Sequence, residues 1–531
     1  MISADFLLAL SAFGVYCHAL FVSITLGFPI AIMALLQKYR KTGEENYFRA
    51  AKLMTWVLAL NFALGAITGT LVEFGLVQAW PGTILAIASF AFAPLALELL
   101  AFANEIAFLV LFIVTLGRIR TSYSMAILAI YWIFAALSGI LITAVNSWLV
   151  APWGTGAISK ALYPFMPEFG ENAVDVQKIV AVKIIALASG LPLQAIIQNP
   201  EVAEKIGIIL FDPYAALFSP YVLASVLHNI TAAVLVGLSI AIMAYAFRWH
   251  QKREEGYLKI LRVISPIFLA LFLIQPTIFG HLMGEAVVEY NPTKFAMMEG
   301  AHETFYNPVI SLIAYGDPSR PIVGFDEFKK RCEEHGNKKL GDLAYAVGLS
   351  EETLFSTASS LGITLDRIKT REILNLELKE LCLADLERAE SKTSIVHYVY
   401  YTKIAFGVIG FISAIGLFAR LSNLPVLSRI VQRILGERAT ILLSLGILLG
   451  SVIPSAAGWY VREVGRKPWT VYGLLYPEEL VTVVEYARSA EFALFMGIVI
   501  ALIVLFGIFG MHIIATREKK SDELIRGGGN G

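Results

Sequence analysis

The sequence predicts an all-α, polytopic membrane protein with about nine transmembrane helices, and three observations predict it. The first is composition: 57% of the 531 residues are hydrophobic and 16% charged, too apolar a balance for a soluble globule. The second is run length. Apolar stretches of about twenty residues recur along the chain, long enough at ~1.5 Å per residue to cross a ~30 Å hydrocarbon core. The third is the placement of lysine and arginine, which crowd into alternate connections between those stretches.

In order, the predicted spans cover 6–36, 54–75, 83–116, 123–148, 221–247, 263–283, 395–419, 439–461 and 492–515. The first is too long for a cleavable signal peptide and lacks its small-residue cleavage pattern. Residues 1–148 hold the first four helices, and 149–220 form an insertion with a Pro/Gly-rich start and an apolar helix near 175–197. Spans 5 and 6 occupy 221–283, a long polar loop covers 284–394, and spans 7 to 9 fill 395–516 before a tail at 517–531. Within the loop, "REILNLELKELCLADLERAESK" predicts one helix.

Five Lys/Arg follow span 1, two follow span 3, five follow span 5, and four follow each of spans 7 and 9. None lies between spans 2 and 3, and the 72 residues of the insertion carry four. The positive-inside rule then sets the N-terminus and both long loops outside and the C-terminus inside. The expected location is the plasma membrane, with the lipid bilayer as surroundings. A net charge of zero and the lack of a basic patch exclude a nucleic-acid partner. Cys332 and Cys382 share the outer loop and can pair if oxidised.

Ionisable groups inside apolar spans are costly and point to function. This chain has His18 in span 1, Glu73 in span 2, Glu98 and Glu105 in span 3, His228 in span 5, His397 and Lys403 in span 7, and Glu463 just after span 8. Glu98 and Glu105 stand two turns apart on one helix face, about 10 Å, which suits a file of protonatable groups rather than two ligands to one ion. Single histidines without a zinc-spaced Cys/His cluster suit axial ligation of flat cofactors. "GWYVREVGRKPW" (458–469) places cations on the outer side, against the positive-inside pattern, with Trp469 expected in the interfacial aromatic belt.

Several separated motifs resemble subunit I of the cytochrome bd-type quinol oxidases. They are "HALFVSITLG" with His18, "NFALGAITGTLVEF" with Glu73, "APLALELLAFANE" with Glu98 and Glu105, "AVNSWLVAPWG" following Ser138, "NPTKFAMMEG" with Lys294 and Glu299, and "GWYVREVGRKPW" with Glu463. The resemblance implies a haem-containing terminal oxidase that couples quinol oxidation to reduction of dioxygen to water and contributes to the proton motive force. By matched position it implies His18 and Glu463 as axial ligands of two high-spin haems, a haem b and a haem d or second high-spin haem. It implies His228 as a ligand of a low-spin haem b, if that haem is retained. Trp459, Arg466 and Lys403 would line the cofactors, Lys294 and Glu299 the quinol site, and Glu98, Glu105 and Ser138 a proton route. The implied partners are a homologous second oxidase subunit and, as a further option, a small accessory subunit.

The chain departs from that pattern in span 7, where "YYTKIAFG" sets Lys403 and Ala405 at the family's arginine and ligating methionine. Leu8 and Ser225 also replace basic residues usual in the family. Three accounts stay open: a different partner for His228, such as His397; loss of the low-spin haem; or a divergent branch pairing two related subunits. Outside the active-oxidase reading stand a partly degenerate structural subunit and a proton-coupled transporter. The latter would favour repeated broken helices, and only Pro266 and Pro276 hint at them.

Overall fold

The computed structural model describes residues 4–172, 176–197, 212–422, 429, 433–482, 484–486 and 489–527. Among them, nine helical stretches are long and apolar enough to cross a membrane: Phe6–Thr42, Glu45–Glu73, Ala86–Thr115, Thr121–Val150, Tyr221–Lys252, Glu255–Tyr290, Thr393–Leu421, Arg433–Val464 and Ala490–Ile514. The multi-pass, all-helical membrane architecture is therefore as the sequence predicts. Most of the helices run several residues past the apolar runs, because helical hydrogen bonding carries on into polar residues beyond the hydrocarbon.

The first four helices are α1 (Ala4–Thr42), α2 (Glu45–Ala79), α3 (Pro81–Thr115) and α4 (Thr121–Val150). A two-stranded hairpin, β1 (Thr155–Gly156) against β2 (Phe169–Asn172), and α5 (Val176–Ser189) follow in the insertion. Then come α6 (Tyr221–Lys252), α7 (Glu255–Ile274) and α8 (Gly280–Tyr290). A π-turn at Gln275–Phe279 joins α7 to α8. Pro276 within it has no N–H to give to the regular ladder, which widens locally. The loop holds α9 (Pro292–Glu299), α10 (Pro308–Tyr315), α11 (Phe325–Glu333), α12 (Leu340–Ala346), α13 (Glu351–Ser360), α14 (Arg367–Leu374) and α15 (Leu378–Glu390). The chain closes with α16 (Thr393–Leu421), α17 (Ala439–Val464) and α18 (Ala490–Gly527). The single helix expected over 371–392 is two, α14 and α15, broken where Lys339 bridges to Glu377.

Lipid offers no hydrophobic drive between helices, so the bundle depends on close packing. Two crossings show it. A Cβ added to Gly237 of α6 would lie 2.2 Å from the Ser23 carbonyl of α1, and one on Gly27 would lie 2.7 Å from Gly237 Cα. Gly410 of α16 meets Gly450 of α17 in the same way, at 2.3 Å from an added Cβ. The first four helices do not bury a core of their own. One cluster runs through α1, α2, α3, α4, α6, α7, α16 and α17, with Leu26, Leu58, Phe112, Leu238 and Ile447 fully buried.

Outside the bundle, the described part of the insertion, residues 291–392 and the chain after α17 form a cap at one end. Its two cores gather Phe169, Phe325 and Trp469 in one and Ile185, Leu354 and Leu378 in the other. Here water is the solvent, and each such side chain contributes about 1.5–3 kcal/mol by burial. Cys332 of α11 and Cys382 of α15 are joined as a disulfide with Cα atoms 5.7 Å apart. Trp469, expected in an interfacial belt, is instead fully buried in the cap. The chain turns back after α17 and packs its indole on Tyr163 and Tyr472.

Candidate functional site

The densest charge in the protein lies where α17 ends against α4. Glu463, one residue before the helix terminus, accepts hydrogen bonds from Arg466 Nη2 and, at 3.4 Å, from Asn146 Nδ2. Arg462 reaches Ser147 Oγ at 3.5 Å, and its guanidinium lies 5.7 Å from the Trp459 ring. Arg462 and Arg466 are both buried. Their remaining donors are not satisfied: Arg462 Nε, Arg466 Nε and Arg466 Nη1 are buried without a hydrogen-bond partner, as is Asn146 Oδ1. A lone buried donor is costly, and more so when it is charged. Several orphaned guanidinium N–H groups together make a site for an anion.

Lys294 joins this cluster from the loop. Asn291 caps α9 by accepting from Lys294 N at 3.2 Å, and Pro292 occupies the first helical turn, where a missing N–H costs nothing. The lysine stem lies against Gly465, where an added Cβ would stand 2.7 Å from Lys294 Cγ, and its ammonium sits 5.9 Å from the Tyr221 ring. Burial, and then the charges of Arg462 and Arg466, push the Lys294 amine down to about 7. It is poised to gain or lose a proton near neutrality.

Glu299 closes the same helix but faces elsewhere. Tyr401 donates to its Oε2 at 3.0 Å, and burial holds its carboxyl above the ordinary range despite that bond. His397 Nδ1 lies 2.8 Å from the Met298 carbonyl, with its ring on Tyr401 and against Gly300. The two loop residues predicted as one site thus have separate neighbours: Lys294 belongs with α17 and Glu299 with α16. His397 is engaged with the loop rather than with His228.

The other predicted residues occupy distinct sites in the bundle. His18 Nδ1 meets Thr68 Oγ1 at 3.2 Å, and Gly69 leaves the room its ring needs, since a Cβ there would be 2.9 Å from His18 Cε1. Ser138 donates to Glu98 Oε1 at 2.8 Å, so these two are brought together. Glu105 is buried two turns along, beside Tyr131, and Glu73 is exposed. His228 Nδ1 lies 3.2 Å from Gln275 Nε2 in the π-turn, and the same amide donates to the His228 carbonyl at 3.0 Å. Lys403 extends toward α17, with Gly458 beside its ammonium, and Ala405 is exposed.

A sequence model described as cytochrome bd terminal oxidase subunit I matches residues 9–308 and 306–520. The chain belongs to this family. A putative cytochrome bd menaquinol oxidase subunit I from Bacillus subtilis is 23% identical over 493 residues, covering 90% of this chain and 89% of the relative. The cytochrome bd-II ubiquinol oxidase subunit 1 of Escherichia coli is 22% identical over 542 residues, covering 94% and 91%. The bd oxidase structure from Geobacillus thermodenitrificans shares the fold at a TM-score of 0.67 with 18% identity, covering 97% of this chain and 98% of that one.

As a bd subunit I, the chain is an oxidoreductase subunit of a haem-dependent respiratory enzyme. Its donor set fits such groups. Among the described residues no three His, Cys, Asp or Glu side chains converge on one point. Single donors (His18, His228, Glu463) stand apart instead, which suits iron whose other positions a macrocycle fills. The orphaned guanidinium N–H groups suit propionates. Sequence reading missed Tyr401, Gln275, Thr68 and Ser147. Tyr401 alone had a signal, standing one turn after His397 on the same helix face.

Proposed function

We propose that this chain oxidises quinol at the capped end of the bundle and passes the electrons to dioxygen, with three haems held near that end. The single observation that carries the reading is the buried Glu463–Arg466–Arg462–Asn146 cluster with its unsatisfied donors. In this reading Glu463 and His18 would hold the two high-spin haems, and His228 a low-spin haem b if that haem is retained. The haems supply electron transfer and the reduction of dioxygen to water. A carboxylate is a weak-field donor, which suits high-spin iron with an open position for oxygen.

The chain's own residues hold and move charge around these groups. Arg466 donates to Glu463 and, with Arg462, would offer its remaining N–H groups to propionates, while Trp459 would line the cofactor and Lys403 supplies a cation near Gly458. Glu105, Glu98 and Ser138 form the proton file, in which the Ser138 hydroxyl donates to Glu98 Oε1 and its oxygen can accept from an incoming proton donor. At the quinol site Glu299 accepts a phenolic proton, helped by a carboxyl already biased toward protonation, with Tyr401 as its partner, while Lys294, on the side of α9 that meets α17, adds its amine to the charged cluster. The cap faces outward, so protons released there leave on the outer side and contribute to the proton motive force. A homologous second subunit completes the enzyme along the lipid-exposed helices.

The test is spectroscopic. Reduced-minus-oxidised spectra with pyridine haemochrome analysis should show b-type and high-spin haem in the purified complex. His18→Ala and Glu463→Ala should each lose high-spin haem and oxygen uptake. Wild-type oxygen uptake in either variant would overturn the ligand assignment, and a complex without haem would overturn the function.

A further inference from the structure

One buried network in the cap plays no part in that reaction. The Asp385 carboxylate of α15 accepts through its Oδ2 from two phenols, Tyr163 at 2.6 Å and Tyr476. The two phenolic oxygens are 3.2 Å apart. Trp469 Nε1 in turn donates to Tyr163 Oη at 3.2 Å. The rings form a line. Tyr472 and Trp469 have centroids 5.3 Å apart, and Trp469 and Tyr163 5.1 Å, each pair edge to face.

The two ends of this line differ. At one end Tyr472 Oη is 2.9 Å from Thr293 Oγ1, next to Lys294, and Trp469 N bonds to the carbonyl of Arg466. At the other, Tyr476 is half-buried beneath Lys183 and Arg388, whose charged groups lie 4.8 and 5.3 Å from its ring. Arg388 is half exposed and also reaches Asp385 at 3.8 Å. Tyr472, Trp469 and Tyr163 are shielded from water.

We propose that Trp469, Tyr163 and Tyr476, with Asp385 as their base, form a relay that drains oxidising equivalents from the charged site to the surface of the cap. The proposal rests on the oxidase reading above for the source of those equivalents. Dioxygen reduction that halts short of four electrons leaves a one-electron oxidant of the peroxide class. Trp469 fills that hole by losing one electron. Tyr163 then reduces Trp469, and its phenolic proton moves to Asp385 Oδ2, leaving a neutral tyrosyl radical and a neutral acid. Tyr476 passes one electron to Tyr163, which regains a proton from Asp385, while the Tyr476 proton moves to the vacated carboxylate. A soluble one-electron reductant such as a thiol or ascorbate finally restores Tyr476 with an electron, and Asp385 returns its proton.

The carboxylate suits this task because one oxygen serves both phenols, so the proton never crosses a gap. Burial raises the Asp385 carboxyl above the usual carboxylate range, against the two phenol bonds that lower it. A base raised in this way holds a phenolic proton more readily. A tie between the insertion, α15 and the chain after α17 would need hydrogen bonds, but not two successive ring contacts continued through paired phenolic hydroxyls to a half-buried phenol.

The experiment treats the purified, haem-loaded complex with hydrogen peroxide and traps radicals by rapid freezing for electron paramagnetic resonance. Haem content is measured first, so a failure of the oxidase reading shows as missing haem rather than as a missing radical. Wild type should give a tyrosyl signal that ascorbate quenches. Tyr163→Phe keeps the ring and loses only the hydroxyl. It should abolish the tyrosyl signal at Tyr476 and shift oxidation, mapped by mass spectrometry, to Trp469. Tyr476→Phe, at the half-exposed end, should keep a tyrosyl signal on Tyr163 but lose its quenching by ascorbate. An unchanged signal and quenching rate in both variants, or no protein radical in haem-replete wild type, would overturn the relay.

Discussion

Gly237→Ala tests how the histidines are positioned. Gly237 lies nine residues after His228 on α6, and Gly27 lies nine residues after His18 on α1. The crossing of the two helices therefore sits about 13 Å along each axis from its histidine. An alanine Cβ at 237 would stand 2.2 Å from the Ser23 carbonyl and 2.9 Å from Gly27 Cα, whereas real Cβ contacts stay above 3.0 Å. Both neighbours are backbone, so no side chain can swing aside. The helices must part by about 1 Å, and overpacking of this kind costs roughly 1–3 kcal/mol, here at the upper end. A fall of a few degrees in melting temperature should accompany it. The parting also tilts α1 against α6 where His18 and His228, the proposed haem donors, stand, so haem content should fall beyond what instability alone explains. The assay is haemochrome content and thermal melting of Gly237→Ala beside Gly407→Ala, a glycine with open space around it. If Gly237→Ala retains wild-type haem and melting, the crossing does not set the donor geometry.

Lys294 titrates near 7 when folded and about 10.4 when unfolded. Between those values the unfolded chain holds a proton that the folded one has released, so this residue makes stability rise with pH across that window. Lys294→Met should flatten the rise in melting temperature from pH 7 to 10, and an unchanged slope would refute the burial argument. Reducing or replacing the Cys332–Cys382 bridge, which spans 50 residues, should destabilise the cap by up to ~4 kcal/mol on the chain-entropy account. Limited proteolysis should then cut the 284–394 loop first, and equal resistance in Cys332→Ser would count against it. Tyr401→Phe removes the donor to Glu299 and with it a hydrogen bond of about 0.5–1.5 kcal/mol. It should raise KM for quinol and leave haem spectra intact; altered spectra would place Tyr401 at a haem instead.

The spans were legible because a membrane imposes one length and one polarity on every helix that crosses it. The motif residues were legible because charge inside such a span is conspicuous. What escaped was the consequence of the chain turning back. Trp469 looks interfacial when read outward from the end of α17, yet the turn after Arg466 folds it into the cap core. Lys294 and Glu299, five residues apart, looked like one site. A helix turns through about 100° per residue, so five positions swing the second side chain to the far side of α9. Gln275 carried no signal, since its hydrogen bond to His228 depends on a π-turn that only the packed structure reveals. The cap was read as an insertion and a loop with one helix in each, because the apolar residues of its other helices are spread over runs too short to show a period.

The cations that break the positive-inside pattern acquire a physical reason from the same packing. Arg462 and Arg466 are buried with one carboxylate, Glu463, between them, and Lys294 sheds its charge more readily because of their field. Two buried guanidiniums against one carboxylate leave an excess positive charge, and burial of charge without a partner is among the costliest arrangements a protein can hold. Glu463 cannot neutralise both, and Asn146 can offer only a dipole. The unsatisfied N–H groups point to an anion of at least one further charge as the missing component. An anionic group that binds there stabilises the fold by the full linkage between ligand and native state. The cluster therefore makes the end of α17, the close of α4 and the start of α9 depend for their stability on the anion that fills it.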